Sequence, residues 1–130
     1  MKRTVQSFGY AISGLAHAIL HEENLRKFMI AEVLFCIAGV LFSLSRGEWF
    51  GLLSSGVIFI VAELLNTALE RIADTLDDLE KKRNAGHYHP GIKTTKDVAA
   101  SASLIALLFH SCALLLIFLP RIIALLQSIL

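Results

Sequence analysis

Cysteine is scarce: only Cys36 and Cys112 occur, both inside long apolar runs. Two thiols in that setting behave as small packed hydrophobes rather than as a disulfide framework or a metal site. An excess of charge of one sign is missing too. The formal net charge is +1, so no bulk attraction to nucleic acid exists, and the information lies in where the charges stand. No cleavable leader is legible, because the first apolar run comes late, carries Glu32 and is not followed by a small-residue cleavage site. At 130 residues the chain has no room for a second domain. Apolar residues, by contrast, are abundant. A hydrophobic content of 55% with a mean hydropathy of +0.66 exceeds that of an ordinary soluble domain, and the chain reads as a small, all-α integral membrane protein.

From Thr4 to Leu20, Val5, Phe8, Ile12, Leu15 and Ile19 recur at helical spacing, with Gln6, Ser13 and His17 off the stripe and Lys2-Arg3 in front. The pattern predicts an amphipathic helix over about 4–20, lying on a membrane surface or packed on its own protein. Three apolar runs follow at 28–45, 49–69 and 98–119, each within the roughly 17–25 residues that a crossing needs. Ser45-Arg46-Gly47-Glu48 reads as a turn between the first two, and Trp49 as an interfacial anchor. Arg71 to Asp97 is the one long polar region. Its first half continues the helix into water, and Asn84, Gly86, Pro90 and Gly91 are turn-forming. Pro120-Arg121 ends the third run, and the tail Ile122 to Leu130 is too short to cross again.

The basic residues set the orientation. Lys2, Arg3, Arg26 and Lys27 precede the first run, and Arg71, Lys81, Lys82, Arg83, Lys93 and Lys96 lie between the second and third, leaving Arg46 and Arg121 opposite. The N-terminus and the long loop are therefore expected in the cytoplasm.

The second apolar run ends in Glu63-Leu64-Leu65-Asn66-Thr67-Ala68-Leu69-Glu70. Each helical residue advances by about 100°, so Glu63, Glu70 and Asp74 share one face with Asn66 beside them. An ionisable group inside a bilayer costs roughly 2.5 kcal/mol or more. Glu63 is thus either glue between helices or part of an active site at the membrane boundary, and a second carboxylate where the helix reaches water favours the latter. Glu22, Glu70, Asp74, Lys96 and Asp97 all fall at that boundary. Carboxylates beside a lysine suit Mg²⁺ and a polyphosphate: Glu22 and Glu70 as metal ligands, Lys96 against phosphate charge, and Glu63 as the base that takes a proton from a lipid alcohol. Gly86 to Thr94 imitates a Walker A loop, but Ile92 separates the glycine from the lysine and no strand precedes it. His87 and His89 read as solvated turn residues. A rival reading is a small oligomeric proton-relay or structural membrane protein using Glu63 and Glu32, which leaves the boundary cluster unexplained.

These residues resemble the prokaryotic diacylglycerol kinase and undecaprenol kinase family. Glu63 to Glu70 followed by Asp74 is similar to that family's E-x-x-N-[ST]-A-[IL]-E-x-x-x-D, Lys96-Asp97-Val98-Ala99-Ala100 to its K-D-x-A-A, and Glu22 to Arg26 to its E-x-N-[FL]-R. Tyr88-His89-Pro90 and Glu48-Trp49 look more like the undecaprenol branch. The resemblance implies a homotrimeric, three-span lipid kinase of the bacterial inner membrane, with sites shared between subunits and MgATP as donor. Glu63 would be the base, Glu22 and Glu70 metal-linked, and Asn66, Lys96 and Asp97 in contact with nucleotide. Arg3 and Tyr10 of the surface helix fall where the family touches nucleotide. The stretch between Glu70 and Lys96 is longer than the family's, and Asp78 to Ala85 is expected to be an adaptable extension.

Overall fold

The computed structural model describes residues 2–83 and 90–129, which form four helices: α1 (Lys2–His21), α2 (Glu23–Leu41), α3 (Arg46–Arg83) and α4 (Pro90–Ile129). His87, Tyr88-His89 and the end of the expected extension, Asn84-Ala85, lie outside the described residues.

α1 forms where the apolar stripe predicted it. The N-terminal part of that stripe is uncovered among the described residues, with Val5 72% exposed, Phe8 69% and Ile12 54%. The helix gives way to α2 at Glu22, whose extended backbone breaks the run, while Arg26 Nη1 donates to the carbonyl of Leu20 at 3.2 Å and caps the end of α1.

α2 ends in a six-residue closing motif. Leu44 N donates to Gly39 O at 3.0 Å and Ser43 N to Val40 O at 3.1 Å, with Ser43 in the left-handed region at φ 52°, the position that glycine ordinarily fills. Two residues later a capping box starts α3: Glu48 Oε2 accepts from Ser45 N at 2.8 Å, and Ser45 Oγ accepts from Glu48 N at 3.4 Å. Arg121 of α4 grips the same carboxylate with both guanidinium nitrogens, at 2.7 and 2.8 Å. The turn expected at Ser45-Arg46-Gly47-Glu48 lies earlier, at 42–45, because the capping box makes Arg46, Gly47 and Glu48 the first turn of α3; with Arg121 it forms a clasp that joins three helices.

Away from the clasp, α3 and α4 run antiparallel, as the contacts Ser55–His110, Glu63–Ser103 and Asp74–Lys96 show. α2 lies antiparallel along α3, with Phe28 against Phe59 at a ring separation of 4.1 Å and Gly39 against Trp49. One apolar cluster gathers Leu44, Leu52, Ile117 and Phe118 near the clasp, and another gathers Phe28, Phe59 and Ala106 toward the opposite end.

The architecture is all-α as expected, and two helices, α3 and α4, are long and apolar enough to cross a membrane. α2 is not the third by that measure, because its 19 residues include Arg26, Lys27 and Glu32. α4 departs from expectation at both ends. Pro90 and Gly91, read as turn residues, are its first two residues, since proline costs a first turn no hydrogen bond. Pro120 does not stop it either, and the helix runs on to Ile129. Arg121 Nη1 donates to Ile117 O at 2.8 Å while holding Glu48, so the turn beside the proline is tied by a side chain to a second helix; the amide missing at Pro120 is the one that would reach Leu116 O.

The bonds from Arg121 and then Ser45 hold the Glu48 carboxyl down to about 2, from an ordinary 4.5. A depressed carboxylate contributes stability that is complete above its unfolded value and is lost as pH falls through the folded one. Thermal unfolding in detergent should therefore show a loss between pH 4.5 and about 2 that is smaller in the Glu48→Gln variant. Equal acid sensitivity in the two proteins would remove the clasp from the account.

Candidate active site

Glu63 is buried, with 6% of its surface exposed. Seven residues from Glu70, it sits on the α3 face turned toward α4, where Ser103 Oγ donates a short hydrogen bond to its Oε2. Ser103 was not singled out from sequence, although a signal existed: it stands seven residues after Lys96, on the same face of α4.

Beside this pair opens a cleft of about 460 Å³ between α2, α3 and α4. Asn24 and Lys27 form its polar end, and Phe28 and Phe59 lie deeper, with Leu104 and Leu107 lining the α4 side. Lys27 also pairs with Glu23 at 2.7 Å. A group reaching Glu63 thus meets a carboxylate with one oxygen engaged by a hydroxyl, an apolar wall below and cationic surface above. Such a site can accept a proton from an amphiphile whose tail stays in the apolar part.

Farther along the stripe, Glu22 accepts from Arg71 Nη2 at 2.8 Å, and Arg71 is next to Glu70, itself half-buried. The two carboxylates read as metal ligands therefore belong to the same end of the bundle. Asn66 lies between Glu63 and Glu70, and its Oδ1 is buried without a hydrogen-bond partner among the described residues. Asp74 accepts from Lys96 Nζ at 2.8 Å, and Asp97 beside it is exposed. Sequence reasoning missed Arg71, the residue that ties Glu22 to this group.

Arg3 and Tyr10 are not brought to the stripe. Both are exposed, and the part of α1 that meets α3 is the turn of Ser13, Gly14, His17 and Ala18, against Thr67, Ala68 and Arg71. Among the described residues no three His, Cys, Asp or Glu side chains converge as a metal site. Magnesium does not need such a cage, since it binds through one or two carboxylates together with phosphate oxygens and water.

The family model described as prokaryotic diacylglycerol kinase matches residues 9–118. The chain is similar to the undecaprenol kinase of Bacillus subtilis, at 33% identity over 94% of this chain and 93% of that protein. It is 29% identical to the diacylglycerol kinase of Pseudomonas aeruginosa over 82% of this chain and 80% of that one, and 31% identical to one from Helicobacter pylori over 83% and 78%.

Removing the hydroxyl of Ser103 leaves a buried carboxylate oxygen without its donor. Ser103→Ala should cost about 1–3 kcal/mol of stability, and the same change in a Glu63→Leu background should cost far less. Equal costs in the two backgrounds, measured by unfolding in one membrane mimic, would show that the pair is not coupled.

Proposed function

We propose undecaprenol as the substrate of this chain, which belongs to the prokaryotic diacylglycerol kinase family and is a membrane lipid kinase. The observation that carries the chemistry is the buried carboxylate of Glu63, held by Ser103 at the wall of a cleft that is polar at one end and apolar at the other. The choice of polyprenol is supported by the Bacillus subtilis undecaprenol kinase, whose similarity extends over 94% of the chain, and by the Tyr88-His89-Pro90 and Glu48-Trp49 motifs. Diacylglycerol is the second reading, favoured by the names of the Pseudomonas and Helicobacter relatives. The non-enzymatic relay gives way to the kinase.

In this reading the alcohol enters from the lipid side with its chain along Phe28, Leu104 and Leu107. Ser103 occupies one oxygen of Glu63, and the other accepts the hydroxyl proton as the alcohol oxygen attacks the γ-phosphorus of ATP. The new O–P bond forms as the bond to the β-phosphate oxygen breaks, ADP departs, and Glu63 returns its proton to water. Glu22 and Glu70 fit Mg²⁺ as hard carboxylate donors at one end of the stripe. When bound, the ion supplies positive charge to the phosphate oxygens. Lys96 adds a cation there, Asp97 and the orphan acceptor of Asn66 meet the nucleotide, and Arg3 and Tyr10 contact it from the surface helix.

Because α1 holds Arg3 and Tyr10 away from the stripe of its own chain, we assign them to the site of a neighbouring subunit in a homotrimer. α2 then serves as the third crossing, with its charged end among headgroups and Glu32 facing the bundle. The distribution of the basic residues supports a cytoplasmic N-terminus and site, in the bacterial inner membrane.

Purified protein supplied with labelled ATP should phosphorylate undecaprenol with a higher kcat/KM than diacylglycerol; the reverse order would overturn the choice of lipid. Glu63→Gln should lower turnover by roughly 10² or more with MgATP binding little changed, whereas Glu70→Gln should weaken MgATP binding. Loss of MgATP binding in Glu63→Gln with a near-native rate at saturation would make Glu63 a ligand rather than the base.

Assembly has its own test. Subunits carrying Glu63→Gln, mixed with subunits carrying Arg3→Ala, should regain part of the activity, because some sites then combine an intact Glu63 with an intact Arg3 from the neighbour. No recovery in verified mixed trimers would place each site within one chain.

A further inference from the structure

Glu32 takes no part in the chemistry above, yet it is an ionisable group turned into the bundle of a membrane protein, and such groups are costly to keep without a role. Its surroundings are specific. A Cβ added at Gly56 would stand 2.7 Å from Glu32 Oε1, so the carboxyl of Glu32 fills the place that a side chain at 56 would take. Gly56 precedes Glu63 by seven residues, and the carboxyl therefore continues the Glu63 stripe about 10 Å deeper. From α4, His110, with 2% of its surface exposed, places Nε2 3.2 Å from Glu32 Oε2, at ion-pair distance, and that oxygen makes no hydrogen bond among the described residues. The other ring nitrogen, Nδ1, lies 2.9 Å from Ser55 Oγ.

The protons can be counted. Ser55 Oγ donates to its own helix, with Gly51 O at 2.8 Å and Leu52 O at 3.0 Å, and a carbonyl can only accept. Ser55 has one proton; with that proton on its own helix, Ser55 accepts from His110 and Nδ1 carries the hydrogen. One further proton then serves the contact between Nε2 and Oε2, and with it the three side chains carry no net charge, whether it rests on the carboxyl or on the ring. Neutrality is what an apolar surrounding requires of a buried polar group.

The same imidazole supports the cleft. It meets Phe28 edge-on at 5.1 Å, Phe28 packs on Phe59 at 4.1 Å, and both rings line the cleft beside Glu63. We propose that Glu32, His110 and Ser55 hold one proton in common and act as a positioning lock beneath the cleft, setting how deep a lipid alcohol sits when its hydroxyl meets Glu63. His110 is then a positioning residue, acting through Phe28. The inference rests on the reading of the Glu63 cleft as the seat of the lipid.

The test is a steady-state comparison of variants of the assembled kinase, with undecaprenol and diacylglycerol as probes and MgATP affinity measured alongside. Glu32→Leu and His110→Leu should raise the lipid KM roughly 10-fold, as a reshaped apolar contact does, and leave MgATP affinity and kcat near those of the parent. Glu32→Gln should behave like the parent, because its amide can donate to Nε2 and keeps the cluster neutral. Should Glu32→Leu fail to assemble, Gly56→Ala reads the same property with all three polar groups retained, and it should raise KM likewise. If Glu32→Gln loses turnover as Glu63→Gln does, an ionising carboxyl is required and the lock is wrong. If the variants lower thermal stability with lipid KM unchanged, the cluster only packs the bundle. Leu107→Trp, which fills the cleft itself, separates the two readings: a raised KM there beside unchanged lock variants refutes the lock alone, and an unchanged KM refutes the cleft and the lock together.

Discussion

A carboxylate cannot remain between packed helices unless something donates to it, and the association of α3 with α4 supplies that donor at Glu63. The partners recur with the repeat of the helix. On α4, Lys96, Ser103 and His110 stand seven residues apart; opposite them, α3 offers Asp74, Glu63 and Ser55, and each pair is in contact. Seven residues make close to two turns, so both polar rows stay on the seam between the helices. Apolar neighbours such as Phe59 and Ala106 fill the levels between them. The seam fixes register, because sliding one helix by a residue would strand every polar group at once.

The seam also grades the environment along the bundle. Asp74 and Lys96 meet at the wet end, where their side chains are 64% and 35% exposed. Ser103 and Glu63 are buried, and Ser55 with His110 more deeply still. A kinase acting on a lipid must join a polyanion from water to an alcohol from the bilayer, and a seam that passes from ion pair to buried hydrogen bond offers each reactant its own level. The carboxylates differ in surroundings along one helix: Glu70 is half-buried beside Arg71, and Glu63 is enclosed.

The part of the site carried by one helix was legible in the sequence. Glu63, Asn66 and Glu70 share a face by spacing alone, and the amphipathic stripe of α1 needed only its period. What needed two helices was not legible. Ser103 lies inside the third apolar run, and its meaning depends on facing Glu63, which requires the register of α3 against α4. Glu32 and His110 are 78 positions apart, and neither has a partner on its own helix that would betray the pair. The end of α4 was misread for the opposite reason: proline breaks helices by a local rule, and here Arg121, anchored on Glu48 from another helix, supports the turn that the rule would dissolve. The turn at Ser45 was seen, but its closing motif was not, because Ser43 holds a left-handed backbone without being glycine.

Gly56 carries a consequence for descent. Its missing side chain and the carboxyl of Glu32 occupy one volume, so positions 32 and 56 cannot change in either order. A lineage that shortens residue 32 first opens a space into which an alanine at 56 can later grow, whereas the alanine arriving first meets an oxygen already in place. The two sites are coupled by order: once residue 56 has gained its methyl, a carboxylate at 32 returns only by swinging its flexible end away from the place it now fills.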